Sequence, residues 1–254
     1  MPTLIVPGKL DRMQPREYAR LYQAEGRLWW FRALRLYIRR LLPKPRLGLL
    51  VLDVGCGTGG LLETLLNMGY RTIGLDFSVV ALQYASRREN NGLVRANAIK
   101  QPFAPVFDLV ISIDLLEVET VDPTLLVAEA LRVLKPGGYG LFVMAAHQWL
   151  MSEHDRAVNS VRRFNLNQMK ALFTVPEIKI MRASYLFFIL FPLIALRKLF
   201  RPTRGPNEAG SDVRVPPTPI NALLYGLCWL EDQLLPVWNM PIGSSVVVLV
   251  RKDD

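Results

Sequence analysis

Short apolar runs without polar interruption recur along the chain, and stretches of helical periodicity lie between them. Leu49 to Val54, Arg71 to Ser78, Leu93 to Arg95, Phe107 to Asp114, Gly140 to Met144, Glu177 to Ser184 and Ser245 to Lys252 each read as a strand. A strand with no alternation is buried on both faces, as in a parallel sheet covered by helices. Helices are expected over Pro15 to about Leu42, in two pieces with Gly26 near the break. Others are expected from Leu61, and over Val79 to Arg88, Pro123 to Leu134, Asn165 to Phe173 and Ile220 to Leu235. The second N-terminal piece sets Trp30, Leu34, Tyr37, Ile38 and Leu41 on one face and Arg32, Arg35, Arg39 and Arg40 mostly on the other. Pro43 and Pro45 stop it, and residues 1 to 14 read as an irregular lead-in. The alternation predicts an α/β domain with a helical cap before its first strand.

The chemistry gathers where the first strand ends. Asp53-Val54-Gly55-Cys56-Gly57-Thr58-Gly59-Gly60 runs from an acid into a glycine-rich turn and then a helix. Glycine lets backbone approach a ligand closely and adopt positive φ cheaply. Gly55, Gly57 and Gly60 satisfy G-x-G-x-x-G, and Asp76 lies at the offset of a ribose-binding acid, so a dinucleotide site is one reading. Asp53 argues against it, because a pyrophosphate would meet a negative charge there.

On these residues the chain resembles the class I S-adenosylmethionine-dependent methyltransferases, in their small-molecule, type 11-like branch. The resemblance rests on D-x-G-C-G-x-G at Asp53 to Gly59 and on L-K-P-G-G at Leu134 to Gly138, read as a tight turn into the fifth strand. It implies a Rossmann-like seven-stranded, mostly parallel sheet with an antiparallel last strand, and S-adenosyl-L-methionine as cofactor. Asp53, Gly55, Cys56, Gly57 and Gly59 would hold its methionine part, Asp76 its ribose, and Phe77 its adenine. Asn97-Ala98 stands where the family has an acid and an alanine, and the Asn97 carbonyl can still accept from the adenine amine. Asp114, at the mouth of the fourth strand, would border cofactor and substrate, with Glu117 as second choice. Residues 1–46 then form the cap, 47–184 and 244–252 the core, and 185–243 a hydrophobic insertion, all in one domain.

Both histidines, His147 and His154, fall just past the fifth strand, beside the expected methyl-transfer point. The run around them resembles a W-S-x-H-D…R-R-Y pattern of one bacterial methyltransferase branch. A histidine of near-neutral pKa could take a proton from an acceptor hydroxyl, which makes His154 and His147 the candidate catalytic residues. Arg162 and Arg163 could hold an anionic group on the substrate, and Trp30 lies on the inner face of the cap.

Composition narrows the partners. Apolar residues make up 51% and charged residues 21%, which excludes disorder across the chain. The net charge of +9 points to an anionic partner. A nucleic-acid amine is not expected as substrate, because Asp114-Leu115-Leu116-Glu117 replaces the [DN]-P-P-[YF] of enzymes acting on flipped bases. Cys56 and Cys228 build no disulfide framework, no secretory signal is read at the N-terminus, and a cytoplasmic setting is expected. No metal cluster is expected from two histidines and no Cys-x-x-Cys. The apolar run Tyr185 to Leu196 is too short for a bilayer span of about twenty residues. With Arg197, Lys198, Arg201 and Arg204 behind it, it suits peripheral contact with an anionic membrane, on the inner face. The expected reaction is methyl transfer to a lipid, isoprenoid or aromatic acceptor. The alternatives are a soluble metabolite such as a nucleotide-linked sugar, or a non-catalytic cofactor-binding accessory protein.

Overall fold

The computed structural model describes residues 13, 15–43, 48–88, 92–200 and 214–254, apart from the side chains of Pro15 and His154. The lead-in expected before Met13 and the loop carrying Arg201 and Arg204 lie outside the described residues. One seven-stranded sheet organises the rest, in the order β3-β2-β1-β4-β5-β7-β6. Its strands are β1 (Leu50–Val54), β2 (Arg71–Asp76), β3 (Leu93–Arg95), β4 (Phe107–Ile113), β5 (Leu134–Ala145), β6 (Ile178–Leu186) and β7 (Ser245–Lys252). β1 to β5 pair in parallel, and β7 runs antiparallel between β5 and β6. The expected class of fold is the observed one. The uninterrupted apolar runs are the central strands: Val51, Leu52, Val54, Val110, Ile111, Leu141 and Phe142 are fully buried.

Helices α3 (Gly60–Asn67), α4 (Val79–Ser86) and α5 (Pro123–Val133) connect the parallel strands. α4 starts on the Ser78 hydroxyl, which accepts from the Ala81 amide. α5 starts on Asp122, which accepts from Thr124 and Leu125, with Pro123 in the first turn, where its missing N–H is no loss. Short α6 (Glu153–Ala157) and α7 (Leu166–Ala171) follow β5, and α7 carries a capping box between Asn165 and Gln168.

Two expectations change. Lys135 to Gly138 is no turn before β5 but a bulge within it: Leu134 pairs with Phe107, Tyr139 pairs with Leu109, and the residues between loop out with Gly137 at φ +72°. The apolar run from Tyr185 is likewise not one segment. Tyr185 and Leu186 complete β6 against Val246 and Ser245, Phe187 turns the chain at φ +61°, and α8 (Phe191–Phe200) starts only then.

The cap and the insertion form a single layer. α1 (Pro15–Glu25) and α2 (Trp29–Leu41) precede the sheet, and α9 (Thr218–Leu234) packs along α2. Asn221 bonds Trp29 and Asp232 bonds Arg40, so the two helices run parallel at a constant offset. Among the described residues no helix is long and apolar enough to cross a membrane.

Candidate functional site

A cavity of about 950 Å³ opens at the carboxyl ends of β1, β2 and β4, where open α/β sheets bind ligands. Its floor is the glycine loop. Gly55 and Cys56 donate to Leu75 O at 2.7 and 3.0 Å, and Gly57 N donates to Asp76 Oδ2 at 2.9 Å. Ser78 N takes the other Asp76 oxygen at 2.8 Å, so this carboxylate ties the loop to the end of β2. Gly55 sits at φ +80°, and a Cβ there would lie 2.8 Å from the Leu115 side chain. Gly57, at φ +53°, would send a Cβ into open space on the cavity side, so its lack of one leaves a backbone cradle.

Asp53 lies beneath that cradle, only 3% exposed. Burial pushes its carboxyl up to about 8, and the negative charges of Asp76 and Glu25 add to the rise. A buried acid whose charged neighbours are acids suits a cationic ligand and rejects a phosphate. The ammonium and sulfonium of S-adenosylmethionine fit this floor, and a dinucleotide pyrophosphate does not. Cys56 is a packing residue; burial raises its thiol pKa well above the usual range. Phe77, Asn97 and Ala98 line the cavity beyond Asp76. Arg95 lies 5.4 Å from the Phe77 ring centre, and Asn97 Oδ1 accepts from Ile99 N at 3.1 Å, keeping one lone pair.

At the far end of the glycine loop three carboxyls and one guanidinium meet. Asp114, in the left-handed region at φ +50°, lines the cavity and donates its amide to Val143 O. Glu117 Oε2 accepts from Ala145 N at 3.1 Å and Oε1 from Ser160 Oγ at 3.0 Å. Asp155 receives Arg163 Nη2 on both oxygens at 2.9 Å and the Ser152 hydroxyl at 2.6 Å. Burial, then the Glu117 charge, raises Asp114 well above the carboxylate range. Burial raises Glu117 to about 7 against its two hydrogen bonds. Burial also acts on Asp155, but Arg163 and Ser152 outweigh it and hold that group low. The end of the cavity therefore carries one fixed ion pair and two carboxyls whose affinity for a proton is raised by burial.

The roof is aromatic. Trp29, Trp30 and Phe31 line the cavity, and Trp30 stacks on Phe187 at 5.8 Å and 13°. Ile194, Arg197 and Lys198 of α8 complete the wall. Arg88 latches the cap to the floor: it bonds Thr58 O, Tyr22 O, Glu25 and Glu63 at 2.6–3.1 Å.

Two expected site residues point elsewhere. His147 does not line the cavity; its ring stacks on Tyr185 at 5.2 Å and 9° and packs against Phe191, and burial lowers its basicity. Arg162 is a loop tie, donating Nη1 to Leu116 O at 3.2 Å and Val121 O at 2.8 Å. Arg163 lines the cavity but is neutralised by Asp155. The His154 side chain lies outside the described residues; its backbone sits in α6 between Glu153 and Asp155, which both line the cavity. Glu25 was not singled out from sequence, because only the fold brings α1 over the glycine loop. Asp155 was not singled out either, because only the fold brings it against Arg163. Among the described residues no group of three or more His, Cys, Asp or Glu is placed to hold a metal ion.

A family model described as a methyltransferase domain matches residues 52–142. The ubiquinone biosynthesis O-methyltransferase of Thiobacillus denitrificans is 35% identical over 105 residues, covering 39% of this chain and 45% of that one. The demethylmenaquinone methyltransferase of Corynebacterium kroppenstedtii is 35% identical over 141 residues, covering 49% and 58%. The chain thus spans about half the length of these relatives. Among solved structures, phosphoethanolamine N-methyltransferase 2 of Haemonchus contortus, in complex with S-adenosyl-L-methionine, shares the fold at a TM-score of 0.61 and 20% identity. That likeness covers 99% of this chain and 61% of the other.

Proposed function

From the premise that this chain carries a class I S-adenosylmethionine-dependent methyltransferase domain, we propose that it methylates a small lipophilic acceptor of the quinone-precursor kind named in its relatives. The observation that carries the reading is a single cavity with two unlike ends, an acid-floored glycine loop and an aromatic roof. Bound S-adenosylmethionine supplies an electrophilic methyl group. Asp53 would oppose its positive charge, the Gly57 cradle would admit its backbone-like part, and Asp76, Phe77 and Asn97 would hold its nucleoside.

Trp29, Trp30 and Phe31 would receive a flat apolar acceptor and exclude water, which aligns the reacting atoms and strengthens the charges below. Proton removal falls to Asp114, with Glu117 behind it, because both line the transfer end and burial makes both carboxyls more basic than usual, Glu117 up to about 7. As the methyl arrives, the acceptor hydroxyl proton passes to the Asp114 carboxylate. The Asp155–Arg163 pair holds the wall, so Arg163 is not free to receive an anionic head group.

The test uses S-adenosylmethionine labelled on its methyl, the purified protein and an extract of the source cells. Protein-dependent label in the organic phase is the expected result. Label only in the aqueous phase would replace this acceptor with a soluble metabolite, and no transfer in the presence of tight cofactor binding would leave an accessory protein. His154→Gln is run beside Asp114→Asn: a loss confined to the histidine variant would move the base to α6.

A further inference from the structure

Helix α9 is built inside out. Its inward face carries Asn221, Cys228, Glu231 and Asp232, all buried. Its outward face carries Ile220, Leu223, Leu230 and Leu234 in one stripe, with Leu223 63% exposed. Each inward polar side chain has a partner, although Glu231 Oε1 and Asp232 Oδ1 are left without one. Asn221 accepts from Trp29 N and donates to Arg27 O, both at 2.9 Å. Asp232 pairs with Arg40 at 2.6 Å, and Glu231 accepts from Ile189 N at 3.1 Å. Hydrogen bonds and an ion pair thus hold the inner face together with Leu224, Tyr225, Leu227 and Cys228, which pack on the core, while a second apolar row faces out. The apolar surface continues past the helix end, where Val237 is 85% exposed and Trp238 about half.

An exposed row of this kind is unfavourable in water and marks a surface that meets an apolar medium. The neighbouring charges say which medium. α2, which runs alongside, contains four arginines and no acid. Arg32 lies 4.1 Å over the Tyr225 ring of α9, Arg40 holds Asp232, and Arg39 is exposed. A second copy docking on this face would set like arginine rows against each other. An anionic lipid surface would attract them, and the half-exposed Trp229 and Trp238 suit the headgroup level.

We propose that the outward face of α9, with Val237 and Trp238, docks into the interface of an anionic bilayer, with the exposed Arg39 and Arg40 of α2 lying against headgroup phosphates. The helix lies in the plane of the surface and does not cross it. This goes beyond the methyl-transfer reading and stands apart from it, since docking needs neither cofactor nor acceptor.

The test is sedimentation of the full-length protein, without cofactor, on vesicles of phosphatidylcholine with and without phosphatidylglycerol. Tight binding is expected only with the anionic lipid, weakening as salt is raised. The combined variant Leu223→Gln, Leu230→Gln, Leu234→Gln changes exposed side chains only; it should keep the native Tm and bind on the order of tenfold more weakly or worse. Hydrogen exchange on the unaltered protein gives a second readout, with amides of residues 218–240 slowed by vesicles. The proposal is overturned by absence of binding to anionic vesicles, by binding that survives the triple substitution, or by a solution dimer that the substitution abolishes. If vesicle binding holds while label from the methyl assay stays aqueous, the docking stands and the acceptor reading falls.

Discussion

On the sheet side of the cavity, the groups that shape the site come from strand ends that the sheet sets side by side: Asp76 holds the Gly57 and Ser78 amides, and Leu75 O takes the amides of Gly55 and Cys56. On the cap side they come from the two ends of the chain, with Asn221 on Trp29 and Asp232 on Arg40, each pair 192 residues apart. The floor is fixed by the sheet, and its charge suits one cationic ligand. The roof is a separate layer of aromatic rings, tied to the floor through Arg88. On the proposed reading the difference separates two tasks: the floor would set which cofactor binds, and the roof which acceptor does. Substitutions in one should leave the other's constants nearly unchanged.

The largest expected effect lies where the two regions meet. Asp114→Asn should lower kcat by roughly 10²–10⁴-fold, the usual reach of a general base, with cofactor affinity little changed. Because Glu117 is raised to about 7 and Asp114 is raised with it, the wild-type rate should climb with pH through neutrality as the pair loses a proton. A rate flat from pH 5 to 9 would remove the carboxylates from the chemistry.

Next comes the floor. Asp53→Asn should weaken cofactor binding by about 10–100-fold, as expected when a charge-assisted contact is lost, and leave the acceptor KM in place. The same variant reports on stability without ligand. The folded Asp53 carboxyl, at about 8, lies above its ordinary value of 3.8, so the folded state binds more protons between those limits. Ligand-free wild type should therefore lose stability as pH rises from about 4 to about 8, and the asparagine variant should lose less, read as Tm against pH.

The roof gives the complementary result. Trp30→Ala removes a cavity wall stacked on Phe187 and should raise the acceptor KM on the order of tenfold, with cofactor Kd unchanged by calorimetry. A joint rise in both constants would break the division of tasks. The smallest effect is at Arg162, which does not itself line the cavity and ties the backbone carbonyls of Leu116 and Val121. Arg162→Gln should leave both binding constants alone and destabilise by about 1–2 kcal/mol in denaturant unfolding.

The same contrast explains what the sequence could tell. The floor was legible because its parts are local: an apolar run, an acid, and glycines at fixed offsets after β1, with an apolar run ending in an acid again at β2 and β4. The roof was legible only as composition, apolar and basic, since nothing near Trp29 announces Asn221. His147 reads as facing the chemistry because it falls just past the end of β5; Tyr185 and Phe191, some forty residues on, take up its ring instead. Arg162 and Arg163 looked like an anion clamp, but their partners, two carbonyls and Asp155, become visible only when the loop after β4 folds against them. In the insertion, hydropathy gave the apolar content of α9 and not its direction, which the buried Glu231 and Asp232 decide.

The measurement that bears most directly on the account is calorimetric titration of S-adenosylmethionine at pH 7, in buffers of different ionisation enthalpy, into wild type and Asp53→Asn. A cationic ligand meeting a protonated buried acid should expel its proton. Wild type is therefore predicted to release about one proton per site on binding, and the variant none, with weaker affinity. Equal affinity in the two proteins and no released proton in either would contradict the assignment of the floor to a cationic cofactor.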